Sequence, residues 1–224
     1  MPRRTALAAL FLLLAASPLL ADTVLTVRSS IEGLKMDQPH QGEVKIWING
    51  DKLRRDEGDS TYILRPDRDK LYVINHVDRT YSEIGLPVDP RKWGGPAGVQ
   101  MKVQVTATGE TRKVGSWNAR KFKVDINSPE GLHMESAIWA SKDIASYQAY
   151  NRMAASIAAL QPGSSDWARQ LEQVEGFPVL QEVDVDMGGS RFKTREELVF
   201  VEARTPPAGA YEVPSGYTKE AYGR

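Results

Sequence analysis

Between residues 43 and 48 the chain alternates: Val44, Ile46 and Ile48 face one way, Lys45 and Trp47 the other. A period of two is the signature of a strand with one buried face. Asn49-Gly50 follows at once, and both residue types tolerate the positive φ that a tight hairpin requires. A return strand is expected over 53–56. The pattern repeats at 62–65, 71–75 and 80–84, with Pro66-Asp67-Arg68-Asp69 and Val77-Asp78-Arg79 as turns. Residues 24–84 therefore read as an antiparallel meander, and the fold must bury one face of it.

Residues 85–100 are rich in proline and glycine and fit no regular element. A loop of that length in a compact domain is usually a functional segment, and Trp93 in its middle is a candidate lid or partner contact. Strands resume over 101–108, 121–126 and 132–140. Then the period changes. Ile144, Tyr147, Tyr150, Ala154 and Ile157 recur at three- and four-residue steps, one face of a helix, capped by Ser141 or Asp143 and ending before Pro162-Gly163. A short second helix, capped by Ser164 or Ser165, carries Trp167, Leu171 and Val174 and stops at Gly176. Residues 179–186 and 191–202 form a last hairpin around Gly188-Gly189.

This order predicts a mainly β (α+β) fold: a strongly curved antiparallel sheet or open half-barrel. The two helices, inserted between late strands, pack over or into its hollow. Such a hollow can hold an apolar ligand.

The first 21 residues have another purpose. Arg3 and Arg4 precede an apolar run from Ala6 to Ala16, and Pro18 stands before the small residue Ala21. This is the three-part pattern of a secretory signal peptide, too short to span a bilayer, with cleavage expected between Ala21 and Asp22. Residues 22–224 are then one domain, in the periplasm. Removing two arginines leaves 27 basic against 29 acidic side chains, which argues against a nucleic-acid partner. There is no cysteine, so disulfides, thiolate nucleophiles and Cys-type zinc sites are excluded. No second apolar run could cross a membrane.

Several strings resemble a known family. Trp47-Ile48-Asn49-Gly50-Asp51-Lys52-Leu53-Arg54-Arg55-Asp56 resembles the opening of the LolA-like superfamily, and Lys70-Leu71-Tyr72-Val73-Ile74 with Thr80-Tyr81-Ser82-Glu83-Ile84 its next hairpin. The resemblance is closest to the bacterial family called domain of unknown function 4412. Ile138-Trp139, Gly176-Phe177-Pro178-Val179 and Val213-Pro214-Ser215-Gly216-Tyr217 extend it over about 24–217. It implies a periplasmic half-barrel with helices over its opening, of the kind that receives acyl chains of lipids or lipoproteins. Many lipid-handling relatives are lipoproteins, whereas this chain has no cysteine to carry an acyl anchor.

The residues supply no catalytic constellation. His40, His76 and His133 are not spaced as metal ligands, and no nucleophile elbow, zincin or phosphate-loop motif occurs. Charged residues over 51–56 read as cross-strand ion pairs of small worth. No enzyme, no cofactor and no metal are expected. The candidate ligand-binding residues are instead aromatic: Trp47, Tyr62, Tyr72, Tyr81, Trp139 and Phe177 on strands or their starts, Tyr147, Tyr150 and Trp167 on helices. Phe192 and Phe200 belong to the same apolar set. Two functions fit: a carrier or chaperone for a lipid or other apolar ligand, or an envelope interaction module with a filled core and an exposed aromatic patch around Trp93.

Overall fold

The computed structural model describes residues 21–33, 40–89, 92, 101–129, 131–160, 169–186 and 190–222. The signal segment apart from Ala21, Trp93, the Ser164 and Ser165 caps, Trp167 and the Gly188-Gly189 turn lie outside the described residues.

Among the described residues, twelve strands form one sheet. In chain order they are β1 (Asp22–Glu32), β2 (His40–Asn49), β3 (Lys52–Glu57), β4 (Ser60–Arg65), β5 (Lys70–Asn75), β6 (Thr80–Gly85), β7 (Lys102–Val114), β8 (Trp117–Asn127), β9 (His133–Ser141), β10 (Phe177–Asp186), β11 (Arg191–Arg204) and β12 (Thr218–Lys219). The spatial order is β12-β6-β5-β4-β3-β2-β1-β11-β10-β9-β8-β7. Two meanders, β1 to β6 and β7 to β11, are thus joined where the first strand pairs with the eleventh. The sheet is curved and open, with β7 and β12 at its edges. The expected antiparallel sheet holds with one exception: β12 runs parallel to β6.

The first hairpin turns one residue later than Asn49-Gly50 suggests. Asn49 pairs with Lys52, so Gly50 and Asp51 form the loop, and Gly50 alone takes the positive φ, +57°. Asn49 keeps strand geometry and donates through Nδ2 to the Asp22 carboxylate at 2.6 Å. The helix α1 spans Tyr147–Ala158, starting later than a cap at Ser141 or Asp143 would give. Ser141 still belongs to β9. Asp143 accepts from the Asn118 backbone N–H instead, at 2.8 Å. A second helical segment is described over 169–171.

Alternation gives the sheet two faces. Along the first meander Leu25, Ile46, Arg55, Tyr62 and Val73 stand opposite one another in register, and Val24, Trp47, Arg54, Ile63 and Tyr72 form the neighbouring row on the other side. The first side is the inner face. Leu25, Val27, Ile46, Leu53, Leu64 and Leu71 pack there with Ala149 and Met153 of α1. Each fully buried aliphatic side chain of this kind contributes roughly 1.5–3 kcal/mol.

The outer face of the same strands is closed by the C-terminal segment. Ile63, Tyr72 and Ile74 are covered by Tyr211, Val213 and Tyr217, with Tyr81 beside them. Polar clamps fix this strap. Arg65, 5% exposed, donates to Asp67 at 2.8 Å, to the Tyr211 carbonyl at 2.9 Å and to Glu212 at 2.6 Å. Arg54 donates to the Ala210 carbonyl at 3.0 Å. The Tyr211 hydroxyl donates to Asp22 at 2.5 Å, and the Tyr217 hydroxyl meets His76 Nδ1 at 2.9 Å.

Candidate functional site

The second meander is built differently. Phe122, Val124 and Ile126 of β8 lie beside Ile138, Ser136 and Met134 of β9 on the inner face. The alternate residues of these strands include the charged or small Lys123, Asp125 and Ala137 and the buried Trp139. No strap is described over this outer side. Above the inner face lies α1. A cavity of about 450 Å³ lies between them. Its floor is Val124, Ile126, Met134 and Ile138. Its roof is Met153, Ala154 and Ile157, with Leu171 and Val174 beyond the helix. The volume falls in the range of small-molecule sites, about 300–1,000 Å³, and the lining is mostly aliphatic.

One end is polar. Arg55 on β3 reaches into the cavity wall together with Glu57, Tyr62, Tyr150 and Glu196. Its guanidinium donates to Glu57 at 3.0 Å and, through Nη2, to Glu196 at 3.3 Å. Glu196 is on β11, three strands from β3 in the sheet order. Adjacent strands lie about 4.8 Å apart, so a flat sheet would hold these two backbones far beyond the reach of an ion pair's heads alone. Curvature and the long arginine stem close that gap across the hollow. The residues beneath are small: Glu196 stands in register with Ser29, and Ser29 with Gly42. A Cβ at position 42 would approach the Ser29 hydroxyl to 2.9 Å.

The electrostatics follow the burial. Desolvation pulls the Arg55 pKa down, but Tyr150, Glu196 and Glu57 more than offset it, and the net shift is upward. The guanidinium is therefore charged at every accessible pH. Burial pushes the phenols of Tyr150 and Tyr62 up from their ordinary value; Arg55 opposes this in both. Both tyrosines thus present neutral hydroxyls to the cavity at physiological pH.

Of the aromatic residues expected to meet a ligand, Tyr62 and Tyr150 line this cavity. Phe177 does not, but its fully buried ring lies 4.5 Å from the Tyr150 ring and backs it. Tyr147 packs on the core at the helix start and faces a shallow dip with Gln148 and Arg152. Trp47 and Tyr72 stand in the outer row, and Tyr81 lies with the strap. Trp139 alternates away from Ile138, and the Arg112 guanidinium stacks 4.0 Å from its ring. Phe200 is 62% exposed on β11. Trp93 and Trp167 lie outside the described residues. The polar cluster of Arg55, Glu57 and Glu196 was not distinguishable in sequence from ordinary surface pairs: Glu196 lies 141 positions away from Arg55. No group of three or more His, Asp or Glu side chains suited to a metal ion occurs among the described residues. None of their helices is long and apolar enough to cross a membrane.

A family model described as Domain of unknown function (DUF4412) matches residues 35–217. No curated protein matches the sequence. Among solved structures, PNGF-II in two crystal forms is similar over 90% of this chain at 13% and 12% identity, each with a TM-score of 0.49. This chain spans 31% of the length of PNGF-II. A DUF1329 family protein from Desulfovibrio piger ATCC 29098 is similar over 85% of this chain and 89% of its own, at 8% identity and a TM-score of 0.33.

Proposed function

The chain belongs to the family described as Domain of unknown function (DUF4412), and from that premise we propose that it is a non-enzymatic carrier or chaperone for a hydrophobic ligand, a lipid or an acyl chain, in the bacterial periplasm. The observation that carries this reading is the aliphatic hollow of about 450 Å³ between α1 and the inner face of β8 and β9. Well-packed interiors keep few voids larger than a water molecule. A hollow of this size with an apolar lining is suited to an apolar guest, because filling it removes that lining and the guest from water together. The alternative, an interaction module, calls for a filled core instead. The periplasmic assignment rests on the signal-peptide pattern of the first 21 residues.

The test is direct. The mature chain is purified from a bacterial periplasm without detergent, extracted with organic solvent and examined by mass spectrometry. A stoichiometric apolar molecule is the expected result. An empty protein that also fails to take up a fluorescent fatty-acid or alkyl probe would overturn the carrier reading.

A further inference from the structure

The polar atoms of the hollow narrow the class of guest, on the premise that the hollow binds one. Three observations converge. First, the charged end holds one guanidinium between two carboxylates, Glu57 at 3.0 Å and Glu196 at 3.3 Å. Its formal charge is negative, and the cation is already engaged on both sides. A carboxylate or phosphate entering here would compete with Glu57 and Glu196, both partly exposed, for a cation that is already engaged, and would add a third negative charge beside them. Second, the other polar side chains lining the hollow are all uncharged: the hydroxyls of Tyr62 and Tyr150, which can both donate and accept, and the amides of Asn151 and Gln181. Third, Ser136 lies in the aliphatic floor between Val124 and Val183. It is 7% exposed, and its hydroxyl has no hydrogen-bond partner among the described residues. A buried hydroxyl without a partner costs about 1–3 kcal/mol, and because Ser136 lines the hollow, a guest that reaches it would supply the missing bond. Ser136 on β9 and Glu196 on β11 are two strands apart, roughly 10 Å across the sheet.

We propose that the hollow selects uncharged amphiphiles, whose ester, amide or hydroxyl groups bond to Ser136 and to the tyrosine hydroxyls, over free fatty acids and other anions of the same chain length. The aliphatic floor and roof then take the hydrocarbon, and the Glu57–Arg55–Glu196 bridge repels a negative head without serving as its anchor.

The experiment is displacement of a bound uncharged fluorescent alkyl probe from the mature chain at pH 8. The competitors share a sixteen-carbon chain: hexadecanoate, methyl hexadecanoate, N-methylhexadecanamide and hexadecane. The ester and the amide should displace the probe at concentrations at least about tenfold below hexadecanoate. Glu196→Gln removes one negative charge while Glu57 still pairs Arg55, and should narrow that gap by about tenfold. Ser136→Ala should leave hexadecane unchanged and weaken the ester and amide about three- to tenfold. Thermal melts of both variants confirm that each is folded before displacement is read. Hexadecanoate binding as well as or better than its ester, with Glu196→Gln and Ser136→Ala both silent, would overturn the selection while leaving apolar binding in place. Failure of the probe and of every competitor to bind would overturn the selection together with the carrier reading.

Discussion

The two halves of the sheet are made from the same alternating strands, yet they end differently. In the first, β2 to β6, both faces are closed. Leucine, isoleucine and valine meet α1 on the inner side, and tyrosines of the C-terminal strap cover Ile63, Tyr72 and Ile74 on the outer. In the second, β7 to β9, one face carries charged side chains and the other looks into a hollow that the helix roofs but does not fill. The aromatic residues cluster mainly in the closed half. The inner face of the open half is mainly aliphatic, with Phe122 among its side chains and one buried hydroxyl, that of Ser136, unpartnered among the described residues. Among the described aromatic residues Tyr62 and Tyr150 line the hollow, and on the proposed function its unfilled aliphatic surface is where a guest is received.

The largest expected effect comes from opening the closed half. Arg65→Met removes the buried guanidinium that ties Asp67, the Tyr211 carbonyl and Glu212 together. Breaking one partner of a buried pair costs about 3–5 kcal/mol; with Glu212 and Asp67 partly exposed, about 2–3 kcal/mol is expected here. Urea unfolding should show it, while affinity for an alkyl probe stays within twofold, roughly 0.4 kcal/mol. A loss of probe affinity equal to the loss of stability would mean that the two halves are not separable.

Filling the hollow should do the converse. Ala154 sits in the roof, half-buried. In a well-packed core a larger side chain costs about 1–3 kcal/mol. Over an existing hollow, Ala154→Trp should cost less than about 1 kcal/mol and reduce alkyl-probe affinity at least about tenfold. Unchanged uptake would place the guest elsewhere.

Acid should loosen the strap before the hollow. The Arg65 guanidinium hydrogen-bonded to Asp67 holds that carboxyl down at about 2, and Arg68 and Arg65 lower Glu212. A depressed carboxyl pKa contributes stability above its unfolded value, lost as pH falls through the folded one. The strap's contribution is therefore complete above about pH 4.5 and declines toward pH 2. Protection of the Thr218 and Glu220 amides, which bond to the Arg79 and Tyr81 carbonyls, measured against intrinsic exchange at each pH, should fall over that window in the wild type and fall less in Arg65→Met, where Arg68 alone still pairs Glu212. The smallest effect is expected from Phe200→Ser. At 62% exposure the ring buries little, and both stability and probe binding should change by less than about 0.5 kcal/mol.

The strands were legible because alternation and turn chemistry are local. The 43–48 pattern gives β2, and the Gly50 turn follows within one residue. The pairing of β1 with β11 was not, because the alternation of Asp22–Glu32 fits many partners equally well. The strap was missed for a similar reason: residues 206–222 carry no period, and their tyrosines find Tyr72 only through the fold. Tyr62 and Tyr150 were legible as apolar positions at strand and helix spacing. Arg55 and Glu196 were not, because a pair formed across the hollow looks in sequence like two solvated charges. Trp47 and Trp139 show the limit of reasoning from residue type: alternation says they share a face with some neighbours and not others, but which face is inner depends on where α1 lands.

Whether the hollow beneath α1 holds an apolar guest is tested by one comparison. Wild-type protein and Ala154→Trp, purified side by side from the periplasm without detergent, are extracted and compared by mass spectrometry. A stoichiometric apolar molecule is expected in the wild type and its near-complete loss in the variant, with closely matched melting curves. The same molecule recovered equally from both, or none from either, would contradict it.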